Sequence, residues 1–118
     1  MATNLIISTP SELWRIPVGD IMHINAEGNY SRLHFGNGES ELITQQLGKI
    51  EELIGRQVTT DESTLVRIGK SSIINRIYVY HITKNEVLLR SASGKIFTVN
   101  AAREALVQLK KLMEGEKI

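Results

Sequence analysis

The strongest constraint on this chain is an alternation of apolar and polar residues, interrupted by turn signals about every ten residues. Ile21-Met22-His23-Ile24-Asn25 and Tyr30-Ser31-Arg32-Leu33-His34-Phe35 carry the period of half-buried strands. Gly36-Asn37-Gly38 follows as a tight turn, because glycine and asparagine tolerate positive φ. Tyr78 to Thr83 and Glu86 to Ser91 make a second strand pair around Lys84-Asn85. Ala92-Ser93-Gly94 then turns the chain into Lys95 to Val99. Spacing this short favours antiparallel pairing, since a parallel crossover needs about a dozen residues or more. A mainly β fold follows.

Two segments have helical spacing instead. Thr44 is the expected N-cap of a helix from Gln45 to Ile54, with Leu47, Ile50 and Ile54 on one face and Gly55 as its stop. Gly48 inside it costs about 1 kcal/mol relative to alanine, so this helix depends on packing. Asn100 is the expected cap of a final helix whose Ala102, Leu106, Leu109 and Met113 form an apolar stripe. The tail beyond Met113 is expected to fray.

The 118 residues suffice for one ordinary domain and leave no room for a second. With no cysteine, disulfides, thiolate metal sites and a cysteine nucleophile are excluded. No apolar run approaches the roughly 18–20 residues of a membrane span, and Met1 to Ser8 lacks the basic start of a signal peptide. A cytoplasmic protein is expected. His23, His34 and His81 each fall within an expected strand, without a partner at metal-ligand spacing. They read as partly exposed strand residues, and neither a metal nor another cofactor is expected. Glu51-Glu52 and Asp61-Glu62 read as solvated charge, and no catalytic motif is present. Nothing argues for an enzyme.

The net charge of +1 hides an uneven distribution. From Ser63 to Arg103 there are seven cations and one acid, Glu86, a net +6, against −5 for the remainder. Such asymmetry points toward a polyanionic partner. The sequence pI of about 8.0 is nevertheless below the rough threshold of 9 seen in nucleic-acid-binding domains. At the centre of the basic stretch lies Leu65 to Ile77, LVRIGKSSIINRI, where Gly69-Lys70-Ser71-Ser72 interrupts an apolar run. A glycine, a flexible point charge and two hydroxyls can present donors to a phosphate or a base edge. Asn75 closes the run, and its amide is expected to tie down neighbouring backbone.

Taken in order, these pieces resemble the LytTR family of bacterial DNA-binding domains, from about Arg15 to Leu112. The carrying segments are Ile16-Pro17-Val18-Gly19-Asp20-Ile21, Ile24-Asn25-Ala26-Glu27-Gly28-Asn29-Tyr30, the helix around Leu47 to Ile54, and Arg67-Ile68-Gly69-Lys70-Ser71-Ser72-Ile73-Ile74-Asn75. The resemblance implies an elongated fold of small antiparallel β-sheets with two short helices. Residues 15–113 would form the DNA-binding domain, 1–14 an N-terminal extension or edge strand, and 114–118 a tail. It further implies a transcriptional regulator whose loops, not a recognition helix, enter the major groove of double-stranded DNA. Sites are often paired repeats in that family, which implies a homodimer on DNA. Mapped residue by residue, the reading loops are Asn29, Tyr30, Ser31 and Arg32; then Gly69, Lys70 and Ser71; then the junction of last strand and last helix, with Asn100 and Arg103.

That third loop departs from the pattern. The family commonly has Ser-Arg or Arg-Arg there, whereas this chain has Ala101-Ala102 with the nearest cation at Arg103. Losing one bidentate arginine–guanine contact removes about 1–3 kcal/mol of base discrimination. Two readings therefore remain. The chain is a stand-alone DNA-binding regulator, controlled through its abundance, oligomerisation or a partner. Alternatively, it is a protein-interaction module of the same fold that has lost DNA affinity and modulates a related regulator.

Overall fold

The computed structural model describes residues 3–59 and 64–115. Its ten strands are β1 (Asn4–Ser8), β2 (Leu13–Pro17), β3 (Ile21–Glu27), β4 (Tyr30–Phe35), β5 (Ser40–Ile43), β6 (Leu65–Ile68), β7 (Ser72–Asn75), β8 (Val79–Ile82), β9 (Glu86–Arg90) and β10 (Ile96–Asn100). Helix α1 (Leu47–Gln57) separates β5 from β6, and α2 (Arg103–Glu114) follows β10. The strands form three antiparallel sheets: β1-β2, β5-β4-β3-β7-β6, and β10-β9-β8. The molecule measures 40 × 33 × 27 Å along its principal axes. The mainly β architecture with two helices is the one expected.

The five-stranded sheet lies between two hydrophobic cores, and its pleat decides which residue enters which. Ile24, Leu33 and Ile73 are cross-strand neighbours on one face. There they pack with Leu5 and Ile7 of β1 and with Leu47, Ile50 and Ile54 of α1. Val66, Ile68 and Ile74 point to the other face, where they meet Val87, Leu89 and Val99 of the small sheet and Leu106 and Leu109 of α2. A register shift between Ile21 and His23 resets the alternation, so that Ile21 and Ile24 both enter the first core while Met22 enters the second. Fully burying one such aliphatic side chain contributes roughly 1.5–3 kcal/mol.

The Asn75 amide ties down backbone, as expected. It is completely buried, its Nδ2 donates to the carbonyls of Val18 (3.2 Å) and Ile21 (2.8 Å), and its Oδ1 accepts from Ile77 N–H (3.3 Å). A second junction runs through the β4–β5 turn. Gly36 N–H donates to Asp20 O at 2.8 Å, while Gly36 O accepts from Ala92 N–H at 2.7 Å. Tyr78 packs so closely on Gly36 that an added Cβ would lie 2.2 Å from its hydroxyl, which donates to Gly19 O at 2.6 Å. Burial, and then Asp20, push the Tyr78 pKa up.

Several expectations need correction. Helix α1 starts from Gln46, which makes no side-chain cap bond, and it continues past Gly55 to Gln57. The reason lies at Gln57, whose amide accepts from Ile6 N–H (2.7 Å) and donates to Ile6 O (2.9 Å), docking the last turn on β1. Asn100 ends β10 and does not cap α2, whose N-cap is Ala102. His23 is buried, against the expectation of partial exposure, because it sits between β4 and β7 in the middle of the sheet. Asp61 and Glu62 lie outside the described residues.

Candidate nucleic-acid interface

The first of the three expected reading loops is the tip of the β3–β4 hairpin. Gly28 takes φ +61°, the left-handed conformation that a tight turn requires and that glycine adopts without strain. Asn29 and Tyr30 are exposed there, Tyr30 by 46%. The pleat separates the next two residues. Ser31 opposes Ala26 on the α1 side, is fully buried, and donates its hydroxyl to Gln45 O at 2.7 Å. Its side chain serves the fold and is not offered to a duplex, which corrects its expected role. Arg32 opposes Asn25 on the other face, but its Nε donates to Glu27 and its charge is compensated.

The second loop joins β6 to β7. Gly69 has φ +69°, and Gly69, Lys70 and Ser71 are all exposed. Its shape is set from behind by Arg67. That guanidinium donates to Gly69 O (3.0 Å), Lys70 O (2.7 Å) and Glu51 Oε1 of α1 (2.8 Å), using Nε, Nη2 and Nη1. A planar fork of fixed donors suits three partners at once, which a lysine could not match. Arg67 is therefore a positioning residue, and Lys70 is left as the loop's uncompensated cation, with no ion pair among the described residues.

The loops are linked to one another. Ala26 N–H donates to Ser71 O at 2.8 Å, which fixes the second loop against the stem of the first. At the third, Asn100 ends β10 and Arg103 opens α2, both exposed. Asn100 shares an open groove of about 350 Å³ with Asn25, Ser72 and Thr98, so the β10 end lies beside the base of the second loop. This brings together Asn29, Tyr30, Lys70, Ser71 and Asn100 as an exposed polar series. Asn25, Ser72 and Thr98 were not picked out from the sequence. Asn25 had a signal, since it shares the alternation phase of Glu27 and His23.

The floor of this groove is a histidine pair. The His23 and His34 rings stack with centroids 4.1 Å apart and planes 2° from parallel, and His34 Nε2 is 2.6 Å from Asn25 Oδ1. Burial, reinforced by His34, pulls the His23 pKa from its ordinary 6.5 down to about 3. Burial also lowers His34, with Arg32 adding to the effect and Glu27 opposing it. Two stacked imidazoles repel when both carry a proton, and burial disfavours charging either one.

Comparison with known proteins bears directly on this arrangement. The family model of the LytTr DNA-binding domain matches residues 11–114. The chain belongs to the LytTR family of DNA-binding domains. Among solved structures it is similar to the LytTr DNA-binding domain of a Bacillus cereus protein described as a methyl-accepting/DNA response regulator. The TM-score is 0.62 at 17% identity, over 96% of this chain and 98% of that one. No curated protein sequence matches. The LytTR fold accounts for the three antiparallel sheets. Among the described residues no helix is long and apolar enough to cross a membrane.

Proposed function

We propose that this LytTR chain is a sequence-specific transcriptional regulator that reads the major groove through Asn29-Tyr30, Lys70-Ser71 and Asn100 with Arg103. The observation that carries this reading is the pinned second loop. Arg67 holds the Gly69 and Lys70 carbonyls, Ala26 holds the Ser71 carbonyl, and Lys70 stands exposed between them. A preorganised loop loses little entropy on binding. Arg103, one position beyond the alanine pair, replaces the missing basic residue. Binding as a homodimer on paired repeats belongs to the same proposal.

Mobility shifts with genomic fragments across a salt series test it. Log K should fall linearly with log salt, at roughly −0.9 per phosphate neutralised, with about three to six contacts per domain. Lys70→Ala should cost about 1–3 kcal/mol on the preferred fragment and relax one base position. A uniform loss across all fragments, with the salt slope reduced by about one unit, would make Lys70 a phosphate contact. The second reading, an interaction module without DNA affinity, is favoured by Ala101-Ala102 and by the compensation of Arg32 and Arg67. An absence of binding at low salt would select it.

A further inference from the structure

Two adjacent acids on α1 have separate roles. Glu52 pairs along its own helix, with Lys49 at 3.8 Å and with Arg56. Glu51 leaves the helix and reaches β6, sixteen residues on, where its Oε1 accepts from Arg67 Nη1 at 2.8 Å. It is not the solvated charge that its place on a polar helix face suggests. Helix α1 is itself a fixed frame, with Ile50 and Ile54 in the core and Gln57 tied to the backbone of Ile6.

We propose that Glu51 is a positioning residue that sets how sharply the second loop discriminates between DNA sequences, although its bond is to Arg67 and not to the loop. The proposal rests on the reading of Lys70 as a groove contact. Two consequences of the geometry carry it. The guanidinium of Arg67 ends a side chain with several free torsions, and its other partners are the carbonyls of Gly69 and Lys70 in the loop itself. The Glu51 carboxylate is the ionised acceptor among the three and stands on the body of the domain. It therefore fixes the fork from outside; without it, fork and loop can shift together. The same bond also neutralises Arg67. A freed guanidinium beside Lys70 would attract phosphate at any sequence, and phosphate contacts carry no sequence information. Glu51 thus lowers attraction to DNA in general while holding Lys70 to one geometry.

Two substitutions separate the charge from the hydrogen bond. Glu51→Ala removes both, whereas Glu51→Gln removes the charge and keeps an acceptor for Arg67 Nη1. The pair is partly exposed, 26% at Arg67 and 51% at Glu51, so both variants should stay folded. On the free protein, backbone amide relaxation by NMR should show Gly69–Ser71 more mobile in Glu51→Ala and as ordered as wild type in Glu51→Gln. Unchanged order in Glu51→Ala would overturn the positioning role, whether or not DNA binds.

On DNA, the preferred fragment is compared with a scrambled one across a salt series. Both variants should bind the scrambled fragment about threefold more tightly at low salt, with its salt slope steeper by up to about one unit. Only Glu51→Ala should also narrow the ratio of preferred to scrambled affinity, by about fivefold, because its loop must be ordered on binding. Equal narrowing in Glu51→Gln would make the effect one of charge alone, and no narrowing in either would make the pair an ordinary surface contact. Either result overturns the discrimination role. A wild type that binds neither fragment would overturn the regulator reading and the discrimination with it, while the loop-order measurement would still decide the positioning.

Discussion

The two faces of the five-stranded sheet are built from the same strands and have opposite characters. The α1 face is closed over its centre, with Ile24, Leu33, Ile43 and Ile73 all at or below 1% exposure. The α2 face is closed only over its β6–β7 half; over β3–β4 it presents Glu27, Tyr30, Arg32, Asn25 and His34. One-residue steps along a strand therefore cross from a stability element to an exposed polar surface. Ser31 and Arg32 make the case most clearly, one bound to Gln45 O inside, the other paired with Glu27 outside.

The largest expected effect compares two leucines on adjoining strands. Leu33 is fully buried on the α1 face, whereas Leu42, opposite Arg32, is 38% exposed. Leu33→Ala should lose about 2–5 kcal/mol in denaturant unfolding, and Leu42→Ala no more than about 0.5 kcal/mol. Similar losses would mean that the two faces do not differ as described. Next comes Asn75, which bonds to the backbone of Val18, Ile21 and Ile77. Asn75→Ala should cost about 1–3 kcal/mol through the stranded carbonyls of Val18 and Ile21. An unchanged melting temperature with lost DNA binding would reassign it to the interface.

A pH series sharpens the comparison further, because the histidine pair lies on the open face alone. His23 is depressed to about 3 when folded and titrates near 6.5 when unfolded. Between those values the unfolded chain takes up a proton that the folded one refuses. The stability is therefore fully present above about pH 6.5 and declines at about 1.4 kcal/mol per pH unit as the pH falls toward 3. His23→Phe should remove that part of the slope in thermal melts; a slope identical to wild type would refute the assignment. The smallest effect is expected at Glu27. Glu27→Gln should change stability by less than about 0.5 kcal/mol, since the Arg32 pair is well exposed. It should nevertheless tighten DNA binding at low salt by freeing Arg32, and steepen the salt slope by about one unit. No change in either would place Arg32 away from the duplex.

Much of this was legible in the residues. The β3–β4 alternation, the Gly36-Asn37-Gly38 turn and the stripe of α2 come directly from local periodicity and turn chemistry. The misses share one physical cause, tertiary contact overriding a local signal. Gly55 reads as a helix stop, yet α1 runs on because Gln57 finds the backbone of Ile6 about fifty residues away. Asn100 reads as a cap, yet pairing with Glu86 draws it into β10. His23 reads as half-exposed, yet strands on both sides and an overlying ring bury it. Ser31 is different. The alternation that makes β4 a strand already sends Ser31 to the same side as Leu33, and the family position alone suggested otherwise. At the interface, the three-way engagement of Arg67 could not be read from spacing, because Glu51 is brought to it only by the packing of α1.

The bond from Ala26 N–H to Ser71 O has a consequence for how such a domain changes over time. It involves only main-chain atoms, so no substitution at Asn29, Tyr30, Lys70 or Ser71 removes either partner; only a proline in place of Ala26 would remove the donor. The distance between the two loops is thereby separated from what the loops recognise. On the proposed reading, mutation would rewrite the preferred letters of a DNA site while the spacing between them stays the same.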